Sequence, residues 1–213
     1  MGSDGDKAGV DELVLLAAPS CCGKTHFLER LQAGELPETA RAMGIDDLAS
    51  WISVIPKELA AARGERLPRL ILHFAIPTIA INEGSARLAE EPRLEVVARA
   101  KRVTAVTMLA SPATLNRRWR ARHRAHLKML AWSVPRYLRE RRRMKQLKRM
   151  YEEPARIATA YEAWFAHVAS LDNLAASWII TAEDDYEVFQ AAEWGRLRRL
   201  YFATSGDISP QIA

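Results

Sequence analysis

The densest chemical signal in the chain is the stretch Ala18-Pro19-Ser20-Cys21-Cys22-Gly23-Lys24-Thr25. Residues 12–18 before it form an apolar run of strand length, and residues 25–32 after it read as a helix. A strand that turns sharply into a helix gathers main-chain N–H groups and the positive end of the helix dipole at one point. A polyphosphate suits that point. Gly23 lets the main chain come close to a phosphate oxygen. Lys24 supplies a mobile cation to the β- and γ-phosphates, and the Thr25 hydroxyl is a ligand for Mg²⁺.

The spacing is that of the Walker A loop, Gly-x-x-x-x-Gly-Lys-[Ser/Thr], with Ala18 in the first position. Alanine serves there only with a negative φ. On these residues the chain resembles the P-loop NTPases, and among them the nucleoside and small-molecule kinases. The likeness extends to residues 106–118, Val-Thr-Met-Leu-Ala-Ser-Pro-Ala-Thr-Leu-Asn-Arg-Arg. In those kinases such a strand leads into a helix that opens a lid, and lid arginines grip the phosphates. The resemblance implies an ATP-dependent kinase that moves a γ-phosphoryl group to an acceptor hydroxyl, with ATP and Mg²⁺ as cofactors. It implies nucleotide contacts from Ser20, Cys21, Cys22, Gly23, Lys24, Thr25 and His26, and Mg²⁺ on Thr25. Arg118 and Arg122, four residues apart on one helix face, would close over the phosphates as bidentate forks. Sulfuryl transfer fits less well, because sulfotransferase loops lack the Gly-Lys-Thr triad. A sugar or glycan precursor is the acceptor implied by the likeness of Leu72-His73-Phe74 to P-loop proteins of bacterial glycan pathways.

One position departs from that pattern. Kinases of this class carry a carboxylate near the end of a strand beside the loop, and here Leu70-Ile71-Leu72-His73-Phe74-Ala75-Ile76 has none. Ala75 stands where Asp is expected. Three readings remain open: another acid, such as Asp46, Asp47 or Glu83, does the work; the protein binds nucleotide without catalysis; or an aspartate has been replaced by alanine and the enzyme silenced. His73 is a possible base, although a lone His in an apolar strand is more often a satisfied core residue.

Cys21 and Cys22 are the only cysteines, and neighbours in sequence do not make a disulfide framework. Beside Lys24 and a helix start their pKa values stand to be lowered; the plainer expectation is two small residues filling the loop. Glu152, Glu153, Asp184 and Asp185 read as caps and surface. Residues 117–149 hold 14 of the 31 Lys and Arg and a single acid, so this stretch is +13 and the rest of the chain −8. A basic arm on an acidic body calls for an anionic partner. Trp119, Trp132, Tyr137 and Tyr151 interleave with the basic residues, which suits a helical lid or a nucleic-acid surface. The second function class is therefore a nucleotide-responsive binding protein whose arm grips nucleic acid or anionic lipid.

The elements that position these groups alternate. Strands are expected at 12–18, 69–76, 103–110 and 177–181, with residues 51–55 a strand or a helix end. Helices are expected at 25–32, 56–63, 92–101, from Ser111-Pro112 onward, at 135–151, 154–170 and 184–200, and Tyr161, Trp164, Phe165 and Val168 share a core-facing spacing. Such alternation predicts an α/β fold of the three-layer P-loop NTPase kind, with a parallel sheet of four or five strands and a basic helical lid. The 213 residues read as a single domain, 1–213, with 117–150 as the lid. With neither a signal peptide nor an apolar run of membrane-spanning length, a cytoplasmic protein is expected.

Overall fold

β1 (Val10–Ala18) runs through the middle of the sheet, and Leu13 to Ala18 are buried without interruption. That continuity is the mark of a strand covered on both faces. The computed structural model describes residues 9–45, 50–54, 67–76, 94–129 and 151–202, with positions 88, 91, 138, 141, 145, 147 and 148. β1 pairs in parallel with β3 (Leu67–Ala75) on one side and β4 (Ala100–Leu109) on the other. β2 (Ile52–Val54) lies outside β3 and β5 (Leu174–Thr181) outside β4, both parallel; β6 (Val188–Gln190) closes the edge antiparallel to β5. The order is β2-β3-β1-β4-β5-β6. The fold is thus α/β with a mixed, mostly parallel sheet.

Two expectations need correction. The sheet has six strands, one of them antiparallel, in place of four or five parallel ones. The helix expected over 184–200 is replaced in its first half by β6. Val188 and Phe189, a β-branched and an aromatic residue, pair back on Ile180 and Ile179. A 3₁₀ turn (Ala191–Glu193) then leads into α6 (Trp194–Phe202). The helix expected over 92–101 also shortens: α3 is Glu95–Arg99, and Ala100 is already extended as it enters β4. The helix expected over 56–63 and most of that over 135–151 lie outside the described residues.

One face of the sheet is covered by α1 (Lys24–Gln32), whose Phe27, Leu28 and Leu31 pack near Val14, Leu16, Ile71 and Val106. α2 (Pro37–Ala42) starts on a proline, and Met43 and Ile45 just beyond it seal the same layer. The other face carries α5 (Pro154–Ala169). Its Trp164 stacks on Phe74 at 5.2 Å and donates its indole N–H to Thr107 Oγ1 at 2.9 Å, while the Tyr161 hydroxyl donates to the Met108 carbonyl at 2.9 Å. Each buried ring of this kind contributes roughly 2–3 kcal/mol of transfer free energy. α6 caps the layer through Trp194 and Phe202 against Tyr161. α4 (Pro112–Met129) begins where the sequence places it: Ser111 Oγ accepts the Thr114 amide at 3.2 Å. Its first turns belong to the core, with Thr114, Leu115 and Trp119 buried. Among the described residues no helix is long and apolar enough to cross a membrane.

The strand order sets a position for chemistry. The chain leaves β1 past β3 to reach β2, then leaves β3 past β1 to reach β4. The carboxyl ends of β1 and β3 therefore flank the point where the winding reverses, and a crevice there is the usual ligand position in an open α/β sheet. Ala18 and Ala75, in register, mark its floor.

Candidate functional site

The β1–α1 turn opens at this crevice. The Cys22 amide donates to the Pro19 carbonyl at 3.3 Å and the Phe27 amide to the Gly23 carbonyl at 2.9 Å. Cys21 (φ 69°) and Gly23 (φ 101°) are left-handed, with Cys22 of negative φ between them. Among the described residues Cys21 is the only non-glycine with positive φ, so Ala18 meets the condition its position imposes. A side chain held in this region costs about 1–2 kcal/mol. α1 has no side-chain cap and no acid in its first turn. Among the described residues the amides of Gly23, Lys24, Thr25 and His26 have no acceptor. Four donors and a helix dipole thus converge, and among the described residues nothing satisfies them.

Lys24 folds back over this turn. Its Nζ donates to the Ala18 carbonyl at 2.9 Å, which also accepts the Ile76 amide at 3.0 Å, so the ammonium lies at the mouth between β1 and β3. Burial lowers its pKa from 10.5 to about 8; Cys22 and Cys21 oppose the shift and the charge of Arg122 adds to it. Between those two values the unfolded chain keeps the proton and the folded chain has released it. Stability therefore rises with pH from about 8 to about 10.5.

The turn is braced from three sides. Arg118 donates to the Cys22 carbonyl and to the Glu183 carbonyl, both at 2.9 Å, and so links α4, the turn and the end of β5. The Glu183 carboxylate accepts from the Ser111 amide, the Ser111 hydroxyl and the Thr114 hydroxyl, which caps α4. The buried Tyr151 donates its hydroxyl to the Ser20 carbonyl. The Cys22 thiol is fully buried against Tyr161, and burial pushes its pKa up to about 12 despite Lys24 and Arg118. The expectation of a lowered thiol pKa is corrected for Cys22: desolvation outweighs the nearby cations. Both cysteines are free thiols.

The structure brings Ser20, Cys21, Cys22, Gly23, Lys24, Thr25, His26 and Arg118 together, with the Thr25 and His26 side chains exposed. Arg118 is half-buried and bound to two carbonyls, which makes it a positioning residue for the turn. Arg122 is exposed, and its charge reaches Lys24. Ala75 ends β3 exposed, and among the described residues no group of His, Cys, Asp and Glu could hold a metal ion. Asp46, Asp47 and Glu83 lie outside the described residues. His73 hydrogen-bonds Ser53 Oγ at 2.8 Å, a core contact one strand away from the turn. Glu152, Asp184 and Asp185 are exposed, and Glu153 pairs with Arg156. Trp119 is buried as packing and Tyr151 is buried as the brace on Ser20, whereas Trp132 and Tyr137 lie outside the described residues.

Sequence reasoning missed Glu183, and it gave Tyr151 and Tyr161 no contact with the turn. Glu183 carries a usable signal: it sits two residues past the end of a strand, on the same rim as the turn. Tyr151 reaches a carbonyl 131 positions away, which no local pattern encodes. No protein-family model matches this chain, and no curated protein or solved structure was found to match it.

Proposed function

We propose that the β1–α1 turn is a P-loop that binds ATP with Mg²⁺, and that the protein transfers the γ-phosphoryl group to a small-molecule hydroxyl. The observation that carries this reading is the cluster of amides from Gly23 to His26, without an acceptor among the described residues, beside the Lys24 ammonium at the reversal point of the sheet. The left-handed Cys21 and Gly23 give the turn the alternating backbone of an anion nest. Lys24 exchanges the Ala18 carbonyl for phosphate oxygens, and its shift in charge preference is the thermodynamic handle. Arg118 fixes the Cys22 carbonyl, and Arg122, exposed and without an ion pair among the described residues, is available to meet charge on the transferring group. Thr25 fits Mg²⁺, which takes one or two protein ligands and otherwise keeps waters and phosphate oxygens; bound there it would neutralise charge on the phosphates. The acid that would orient the acceptor falls to Asp46, Asp47 or Glu83, or is missing at Ala75. Residues 117–150 are the lid on this reading, and the acceptor is a sugar or glycan precursor.

Binding should carry a pH signature. Phosphate oxygens favour the ammonium form, so above pH 8 each bound Mg·ATP takes up as much as one proton and affinity falls by about tenfold per pH unit. Calorimetry in buffers of differing ionisation enthalpy reads that proton directly. A flat affinity from pH 7 to 10 removes Lys24 from the contact. The reaction itself is tested by incubating the protein with Mg·ATP and a metabolite extract. The expected product is a metabolite heavier by about 80 Da, one phosphoryl group, formed only with ATP. Mg·ATP binding without any such product leaves a binding protein; failure to bind Mg·ATP overturns both steps.

A further inference from the structure

We propose that Tyr151 is a positioning residue of the β1–α1 turn, whose hydroxyl holds the Ser20–Cys21 peptide in the orientation that adds the Cys21 amide to the donors from Gly23 to His26. This role rests on the polyphosphate reading of the turn, whereas the hold on the peptide can be measured without any ligand. Tyr151 is buried and donates its hydroxyl to the Ser20 carbonyl. That carbonyl shares a peptide with the Cys21 amide, and no peptide of the turn is cis. In a trans peptide the C=O and N–H point in opposite directions. The bond to Tyr151 therefore fixes the Cys21 N–H on the side away from that hydroxyl. Among the described residues this N–H has no acceptor. Arg118 acts in the same way two peptides further on: it holds the Cys22 carbonyl, so the Gly23 N–H points away from the guanidinium. Cys21 and Gly23 are left-handed on either side of Cys22, the alternation that turns successive amides toward one concave side.

The backbone shows what Tyr151 opposes. Cys21 sits at φ 69°, where a side chain crowds its own main chain. One movement relieves that crowding. Turning the Ser20–Cys21 peptide over by about half a revolution takes Cys21 to negative φ, which any L residue accepts. The same movement swings the Ser20 carbonyl off the Tyr151 hydroxyl and carries the Cys21 N–H out of the donor set. The opposing effects are of similar size. The left-handed region disfavours a side chain by about 5- to 30-fold, and one hydrogen bond restores about 2- to 12-fold. Removing a single hydroxyl is therefore enough to move the balance. The brace also reaches the turn from far along the chain. Tyr151 follows the basic stretch 117–149 and Arg118 stands near its start, so both ends of one segment are bonded to carbonyls of the same turn.

The test uses the full chain and Tyr151→Phe, which keeps the ring and removes the hydroxyl. In the ligand-free, isotope-labelled protein the three-bond coupling between the amide proton and Hα of Cys21 reports its φ. That coupling should move toward the value for negative φ in the variant. Mg·ATP affinity, read by titration calorimetry, should fall about 3- to 10-fold. Cys21→Gly added to Tyr151→Phe should recover most of that loss, because glycine takes positive φ as readily as negative and the turned-over peptide loses its advantage. A tyrosine that only filled space would gain nothing from a change at position 21. An unchanged coupling in Tyr151→Phe overturns the proposal, whatever Mg·ATP does. So does a loss of affinity that Cys21→Gly fails to restore. A coupling that moves in a protein indifferent to Mg·ATP overturns the polyphosphate reading and reduces Tyr151 to a brace of the backbone.

Discussion

Lys24→Met should cut Mg·ATP turnover by about 10²–10³-fold, the usual loss for one preorganised charge donor at a transferring group. Its thermal midpoint at neutral pH should stay where it was or rise. The two effects run in opposite directions for a reason visible in the protein alone. The ammonium is held in a desolvated position that drags its pKa to about 8, so its positive charge is a liability for folding at pH 7. An uncharged side chain of similar length removes that liability and forfeits the hydrogen bond to the Ala18 carbonyl. A residue kept at a cost to stability is what a binding function requires. Titration calorimetry with Mg·ATP and thermal unfolding at pH 7 read both halves. Loss of binding together with a large fall in the midpoint would mean that Lys24 holds the turn together and nothing more. Retained binding would leave the amides without their cation partner and end the phosphate assignment.

The parts of this architecture that local sequence encodes are legible in the chain itself. The apolar runs that became β1, β3, β4 and β5 are continuous because both faces are covered, and continuity survives in a linear reading. Ser111-Pro112 announced the start of α4 because a cap and a proline act within one turn. The turn residues 18–25 were legible for the same reason. β6 was not, because Val188 and Phe189 take their conformation from pairing with β5 and not from their immediate neighbours. The bracing of the site was hidden as well. Arg118 resembled a clamp by its spacing from Arg122, and only the folded chain gives it the Cys22 and Glu183 carbonyls. A lowered thiol pKa is the less plain of the two readings that the neighbours of Cys22 allow, and depth decides against it, since desolvation depends on what lies above and below a residue in space. In each case the missed quantity is a contact between elements far apart in the chain.

Ala75→Asp should raise turnover by about 10²–10⁴-fold, the range supplied by a well-placed general base. The geometry favours a direct effect. Position 75 is the last residue of β3, in register with Ala18, and exposed at the crevice. The next amide, from Ile76, shares the Ala18 carbonyl with the Lys24 ammonium. An aspartate there would stand near that cation. Its charge would also raise the Lys24 pKa, so the gain in stability between pH 8 and 10.5 should shrink in the variant. That second readout makes the experiment decisive. A flattened pH–stability curve reports that the carboxylate has arrived next to Lys24, whatever happens to the rate. If the curve flattens and turnover stays put, the site already owns its acid elsewhere in the chain or performs no transfer, and a silenced catalytic aspartate at this position is dismissed. If both move together, the crevice between β1 and β3 is the place where the acceptor loses its proton, and alanine there explains a kinase held at the level of binding.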